Sequence, residues 1–124
     1  MTKEELIKRF RNFAIDNATL ISELPYNTIN KNYSNQLIRC SSSSSSNYRA
    51  ACRAKSIPDF INKLKIVEEE TDESLHFLDL LKHFNESLKD RISIIEKEGN
   101  ELLSITVASL NTMKTKLINQ KINK

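Results

Sequence analysis

Residues 39–56 read RCSSSSSSNYRAACRAKS, six consecutive serines set in a segment with four basic side chains. Taken alone, a serine run is a flexible connector, because serine solvates readily and has little to bury. A connector lets the apolar pattern drift, whereas a helix must hold its phase. Ile29, Tyr33, Leu37, Cys40, Ser44, Tyr48 and Ala51 recur at steps of 4, 4, 3, 4, 4 and 3, which keeps one face through the serines. The run is therefore predicted to be helical, at about 0.5 kcal/mol per serine relative to alanine, or on the order of 3 kcal/mol for all of them. Close packing is the expected compensation. Ser44, on the apolar face, lets a neighbouring backbone approach and accept its hydroxyl hydrogen bond, while Ser42, Ser43 and Ser46 turn outward.

The rest of the chain supports helices. One glycine and two prolines in 124 residues leave little material for the tight turns of a many-stranded protein. The length suits one domain, 1–124. Capping signals divide it. Thr2 with Glu5 opens the first helix, Pro25 ends it, and Asn27 caps the second. Ser56 with Asp59 and Pro58 opens the third, and Ser87 with Asp90 opens the fourth. Helices are expected over 3–24, 28–54, 57–84 and 88–121. Their seams are Leu6, Phe10, Phe13, Asn17, Leu20, Leu24; then Phe60, Leu64, Val67, Thr71, Ser74, Leu78, Leu81; then Leu88, Ile92, Ile95, Gly99, Leu102, Thr106, Ser109, Met113. An all-α, antiparallel up-down-up-down four-helix bundle is the economical fold. Apolar residues of helix 4 spread over ~220° of its wheel, more than one core needs, which predicts self-association through a second surface.

The net charge of +3 is unevenly spread. Residues 25–56 carry Lys31, Arg39, Arg49, Arg53 and Lys55 and no acid, and after Glu101 only Lys114, Lys116, Lys121 and Lys124 are charged. Residues 57–85 are acidic, with the run EEETDE at their centre. The run Glu68, Glu69, Glu70, Asp72 and Glu73 beside a helix carrying Arg39, Arg49 and Arg53 is expected to form inter-helix or inter-subunit ion pairs that fix register, Arg39 with Glu73 among them. The basic residues Lys31, Arg49, Arg53, Lys55, Lys114, Lys116, Lys121 and Lys124 are the candidates for phosphate contacts with RNA or DNA.

Catalytic and metal readings are weak. Gly99 stands alone, so no glycine-rich loop can cradle a phosphate. No serine in a strained turn accompanies His76 or His83. Glu73 and His76 spell one E-x-x-H, where a di-iron bundle needs two copies, and His76 and His83 lie ~10 Å apart along a helix. No catalytic residue, metal or cofactor is expected. Cys40 and Cys52 are ~18 Å apart on one helix, beyond disulfide reach, and should be free thiols. No apolar run approaches a membrane span, and the charged start MTKEELIKRF is unlike a signal peptide, which predicts a cytoplasmic protein without membrane contact.

The stretch from Gln36 to Leu81 resembles the bacterial four-helix-bundle family known as the 23S rRNA intervening-sequence proteins. The family pattern is Q-L-x-R, a serine, N, small residues, S-x-x-x-F, and an E-rich helix ending E-T/S-x-x-x-L. Gln36, Leu37, Arg39, Ser44, Asn47, Ser56, Phe60, Glu70, Glu73 and Leu78 match it, which marks Arg39, Ser44, Asn47, Glu70 and Glu73 as packing and ion-pair residues. Arg49, Ala50 and Ala51 stand where the family often has E-G, and Phe77 where it often has tryptophan. The resemblance implies a ring-like homopentamer without enzymatic activity, encoded in some bacteria within insertions of ribosomal RNA genes. Related accessory proteins of diversity-generating retroelements share the architecture and work with nucleic acid. Two readings of function follow: a homo-oligomer associated with RNA or DNA, and a protein-interaction scaffold for a protein encoded nearby.

Overall fold

The computed structural model describes residues 1–123. Its elements are α1 (Lys3–Glu23), α2 (Thr28–Ala51), α3 (Ile57–Phe84), a short 3-10 turn (Glu86–Leu88) and α4 (Lys89–Ile122), with no strand among the described residues. Each helix packs on its chain neighbours and α4 closes on α1, the α2/α3 contact being the most extensive. Ion pairs fix the directions. Arg9 of α1 meets Glu98 and Glu101 of α4, while Glu23 meets Arg91, so the two helices run antiparallel. The chain is an all-α, up-down-up-down four-helix bundle. Its α1–α2 and α3–α4 turns lie at one end, and its α2–α3 turn at the other.

Three helices begin as their caps dictate. Thr2 and Glu5 form a reciprocal capping box, Asn27 accepts from the Asn30 amide, and Ser56 accepts from the Asp59 amide. Helix 4 does not use Ser87. Asn85 turns its side chain inward to donate to the Leu81 carbonyl at 2.8 Å, the 3-10 turn follows at once, and α4 starts without a side-chain cap. Nor does helix 2 reach residue 54. It ends at Ala51, and successive bonds from Arg53 to Ala50 and from Ala54 to Ala51 wind the chain into a tight turn. Arg53 and Lys55 therefore sit on a connection, not on a helix.

The serine run lies wholly within α2, and Leu37, Cys40, Ser44, Tyr48 and Ala51 are all buried. Ser41 and Ser44 are fully covered, and α3 offers small polar residues of its own, Thr71 and Ser74, both also fully covered. Ser74 Oγ lies 3.2 Å from Cys40 Sγ, so small side chains of the two helices meet directly. The expected hydrogen bond to a neighbouring helix does not form. Ser44 donates to Ser41 O at 2.8 Å, and Asn47 to Ser43 O at 2.9 Å, both within α2. Ser44 and Ser74, each satisfied by a carbonyl of its own helix, let the partner pack close without making a polar demand on it. Ser41 Oγ and Thr71 Oγ1 are instead buried without a hydrogen-bond partner among the described residues.

The core joins Leu6, Phe10, Phe13 and Leu20 of α1 to Leu64, Val67, Leu78 and Leu81 of α3 and to Ile92, Ile95, Leu102 and Leu110 of α4. Phe10 stacks on Tyr48 of α2 with ring centroids 4.8 Å apart. Gly99 opens the α4 surface at mid-height: a Cβ there would lie 2.8 Å from Leu75 Cδ2 and 3.0 Å from Phe13 Cε1. The seams depart from expectation near helix ends. Asn30 and Ser34 are buried in place of Ile29 and Tyr33, Ile61 in place of Phe60, and Leu110 in place of Ser109. Burial of Asn30 has a plain cause, the amide pair it makes with Asn85, which rotates Ile29 and Tyr33 toward the outer flank.

Candidate nucleic-acid interface

The α2–α3 connection is built to hold its basic residues in place. Asp59 accepts from the Lys55 backbone amide at 3.2 Å and from Lys63 Nζ at 2.6 Å. The Lys63 ammonium, followed by the Lys55 amide, holds the Asp59 carboxyl below its usual value. Lys3 Nζ lies 3.4 Å from the Cys52 carbonyl, which brings the start of α1 to the same corner. Arg49 occupies the last turn of α2, where a cation complements the helix dipole.

Helix 4 returns to this end and passes beyond it. Met113 shares a surface depression with Lys3, Cys52, Lys55, Ser56 and Phe60. Lys114 follows directly, and Lys116 and Lys121 ride on the exposed remainder of the helix. Arg49, Arg53, Lys55, Lys114, Lys116 and Lys121 thus gather at one end of the bundle, and none makes an ion pair among the described residues. Glu4, Glu5 and Asp59 share that end, and Asp59 is already matched by Lys63.

Lys31 does not belong to the cluster. It lies in the first turn of α2, beside Tyr26 and Asn30, and ~27 Å of helix separates it from Arg49. Lys124 lies outside the described residues. Lys3 joins the basic end without having been singled out, although its place in the first turn of a helix antiparallel to α2 signals the position. Tyr26 is 88% exposed at the opposite end, and Tyr33 is half-buried against Phe77 and Phe84, so neither aromatic ring accompanies the cations.

The charged residues of the α2/α3 face form a separate group. Arg39 donates from Nη2 to Glu73 at 2.6 Å and from Nη1 to Glu70 at 3.3 Å, tying the two helices at mid-height. Arg9 forks between Glu98 and Glu101, and Lys82 meets Glu96 at 2.7 Å, so each helix pair that includes α4 carries its own tie. His76 and His83 stack edge-on against Phe77 and Phe84, with centroids 5.3 and 4.9 Å apart. Among the described residues no three His, Cys, Asp or Glu side chains come together as metal ligands. A broad, open surface depression is walled almost wholly by α4, from Ser93 to Ile105, with only Lys82 opposite. Among the described residues no helix is long and apolar enough to cross a membrane.

No protein-family model matches the chain, and no curated protein matches it in sequence. Among solved structures it is similar to a protein of unknown function from the S23 ribosomal protein family of Bacteroides thetaiotaomicron VPI-5482. The TM-score is 0.74 at 24% identity, over 85% of this chain and 97% of that one. At this identity the likeness is one of fold: the four-helix arrangement recurs at nearly the full length of the neighbour.

Proposed function

We propose that this chain is a non-enzymatic, homo-oligomeric, cytoplasmic protein of the 23S rRNA intervening-sequence type, and that its basic end binds the phosphates of RNA or DNA. The observation that carries this reading is the convergence of cations from two distant stretches of sequence. Arg49, Arg53 and Lys55 come from the α2–α3 corner, and Lys114, Lys116 and Lys121 from the end of α4. None of these cations has an ion-pair partner among the described residues, and phosphate is the ligand that rewards several of them at once. Assembly multiplies the effect. A homopentamer of chains at +3 carries a formal charge of about +15, so contacts that are weak singly act together on one polymer.

The test is fluorescence anisotropy of labelled single-stranded and duplex RNA and DNA over a range of salt. Phosphate binding predicts that log affinity falls linearly with log salt, with a slope of about −0.7 per contact on single strands and −0.9 on duplex. Absence of binding at low salt, with the oligomer intact, would overturn it.

The exposed aromatic flank around Phe84 favours a second reading, a scaffold for a protein partner without nucleic acid. Affinity insensitive to salt would identify that case.

A further inference from the structure

At the basic end of the bundle the helix seams shift, and the shift leaves an aromatic ring and a thioether at the surface. Ile61 takes the core position expected of Phe60, and Leu110 that expected of Ser109, so Phe60 and Met113 are only half-buried against the core. Together they wall two depressions. One, of about 370 Å³, runs across the α2–α3 corner from Lys3 and Lys55 past Ile57 to Phe60 and Met113. The other, of about 320 Å³, lies between Phe60 and the α4 residues Ile105, Ala108 and Met113. Neither lining holds an acid, and the charged side chains in them are Lys3 and Lys55, with Lys114 next along α4. Glu4 and Glu5 share this end of the bundle but line neither depression. Elsewhere the sign is mixed: the broad depression along α4 holds Glu96 and Glu101 among its lysines, and one beside the α3–α4 turn holds Asp79 and Glu86.

An apolar wall bordered by cations alone selects its ligand by chemistry. A nucleotide carries the matching pair of features on one unit, an anionic phosphate and a flat base whose face stacks on rings. In a duplex those faces are stacked and paired inside, out of reach of a wall beside the phosphates, whereas an unpaired strand turns them outward. We propose that the basic end takes single-stranded nucleic acid, one base seated against Phe60 and Met113 while Lys3, Lys55 and Lys114 hold the flanking phosphates. The inference rests on the phosphate-binding reading above and narrows it from any nucleic acid to an unpaired strand. A thioether conforms to varied shapes and every base has a face to stack, so the site distinguishes strandedness and not sequence.

The test is fluorescence anisotropy at low salt with labelled strands of equal length: an oligothymidylate, an oligouridylate, and an abasic strand with the same phosphates and no bases. The base-bearing strands should bind about tenfold more tightly than the abasic one. Comparing the two separates DNA from RNA as the source of the strand. Phe60→Leu with Met113→Ala should remove the advantage and leave abasic binding unchanged, with circular dichroism confirming helix content, and Tyr26→Ala at the opposite end should change neither. Equal affinity for base-bearing and abasic strands overturns the base site while phosphate binding stands. An advantage that the double variant keeps also overturns it. Absence of binding to every strand overturns phosphate binding and the base site with it. A second measurement needs no variant. Thiothymidine in the strand, cross-linked by ultraviolet light and located by peptide mapping, should mark Phe60 or Met113, and annealing the strand to its complement should abolish the mark. Marking confined to Tyr26, or to Tyr33 and Phe84, or kept in the duplex, contradicts the proposal.

Discussion

Asn30 and Asn85, 55 residues apart, exchange both side-chain amide bonds at 2.8 and 2.9 Å in a nearly closed pocket at one end of the bundle. Asn30 also donates to the Pro25 carbonyl, and Asn85 to the Leu81 carbonyl, so the pair joins the α1–α2 turn to the α3–α4 turn. Truncating one partner leaves the other amide buried and unpaired. Asn85→Ala is expected to lose about 1–3 kcal/mol in urea unfolding. In a double-mutant cycle with Asn30→Ala the two losses should fall short of adding, as they do for groups that serve each other.

The serine run divides by face. Ser42 and Ser46 are exposed, so replacing both with alanine should raise stability by about 0.5 kcal/mol each through helix propensity alone. Ser41 and Ser44 are fully buried, and Ser44→Leu should cost about 1–3 kcal/mol by overpacking. Equal effects at Ser42 and Ser44 in chemical denaturation would contradict the close-packed seam.

How much of this was legible in the sequence follows from the reach of each signal. The apolar phase of α2 and the caps Thr2, Asn27 and Ser56 are local, and they placed the helices. The Asn30–Asn85 pair is tertiary. Asparagine near a turn reads as a cap or a turn residue, and nothing within a few positions reveals a second asparagine half a chain away. The same limit misassigned Ser87, because the α3 end is set by an inward Asn85. Charge blocks mislead differently. Lys31 and Arg53 belong to one acid-free stretch, yet a helix lays that stretch along the full bundle, while Lys55 and Lys114 meet only through the antiparallel return of α4.

Gly99 sits where Phe13 and Leu75 press on α4, with Phe13 1% exposed and unable to withdraw. Alanine gains up to about 1 kcal/mol of helix propensity against that crowding. A larger side chain has no such offset to match its bulk, and Gly99→Leu should lower stability by about 1–3 kcal/mol.

Burial pushes the Cys40 thiol above its ordinary 9.0, and burial likewise raises Cys52 and Tyr48. A folded-state value above the unfolded one means that the unfolded chain releases these protons first. Stability is therefore intact below about pH 9 and declines as pH rises beyond it. Urea midpoints measured from neutral to alkaline pH should fall in that direction. At neutral pH a thiol reagent should label half-buried Cys52 first and reach Cys40 only on unfolding.

The most direct test of the basic end compares two charge reversals in one RNA-binding titration at low salt. Arg49→Glu, Arg53→Glu and Lys55→Glu together alter the gathered corner, and Lys31→Glu alters the opposite end of the same helix. The account predicts that the triple variant loses binding while Lys31→Glu keeps nearly all of it. Equal loss from both, or full binding by the triple variant, would contradict a phosphate site at the end of the bundle.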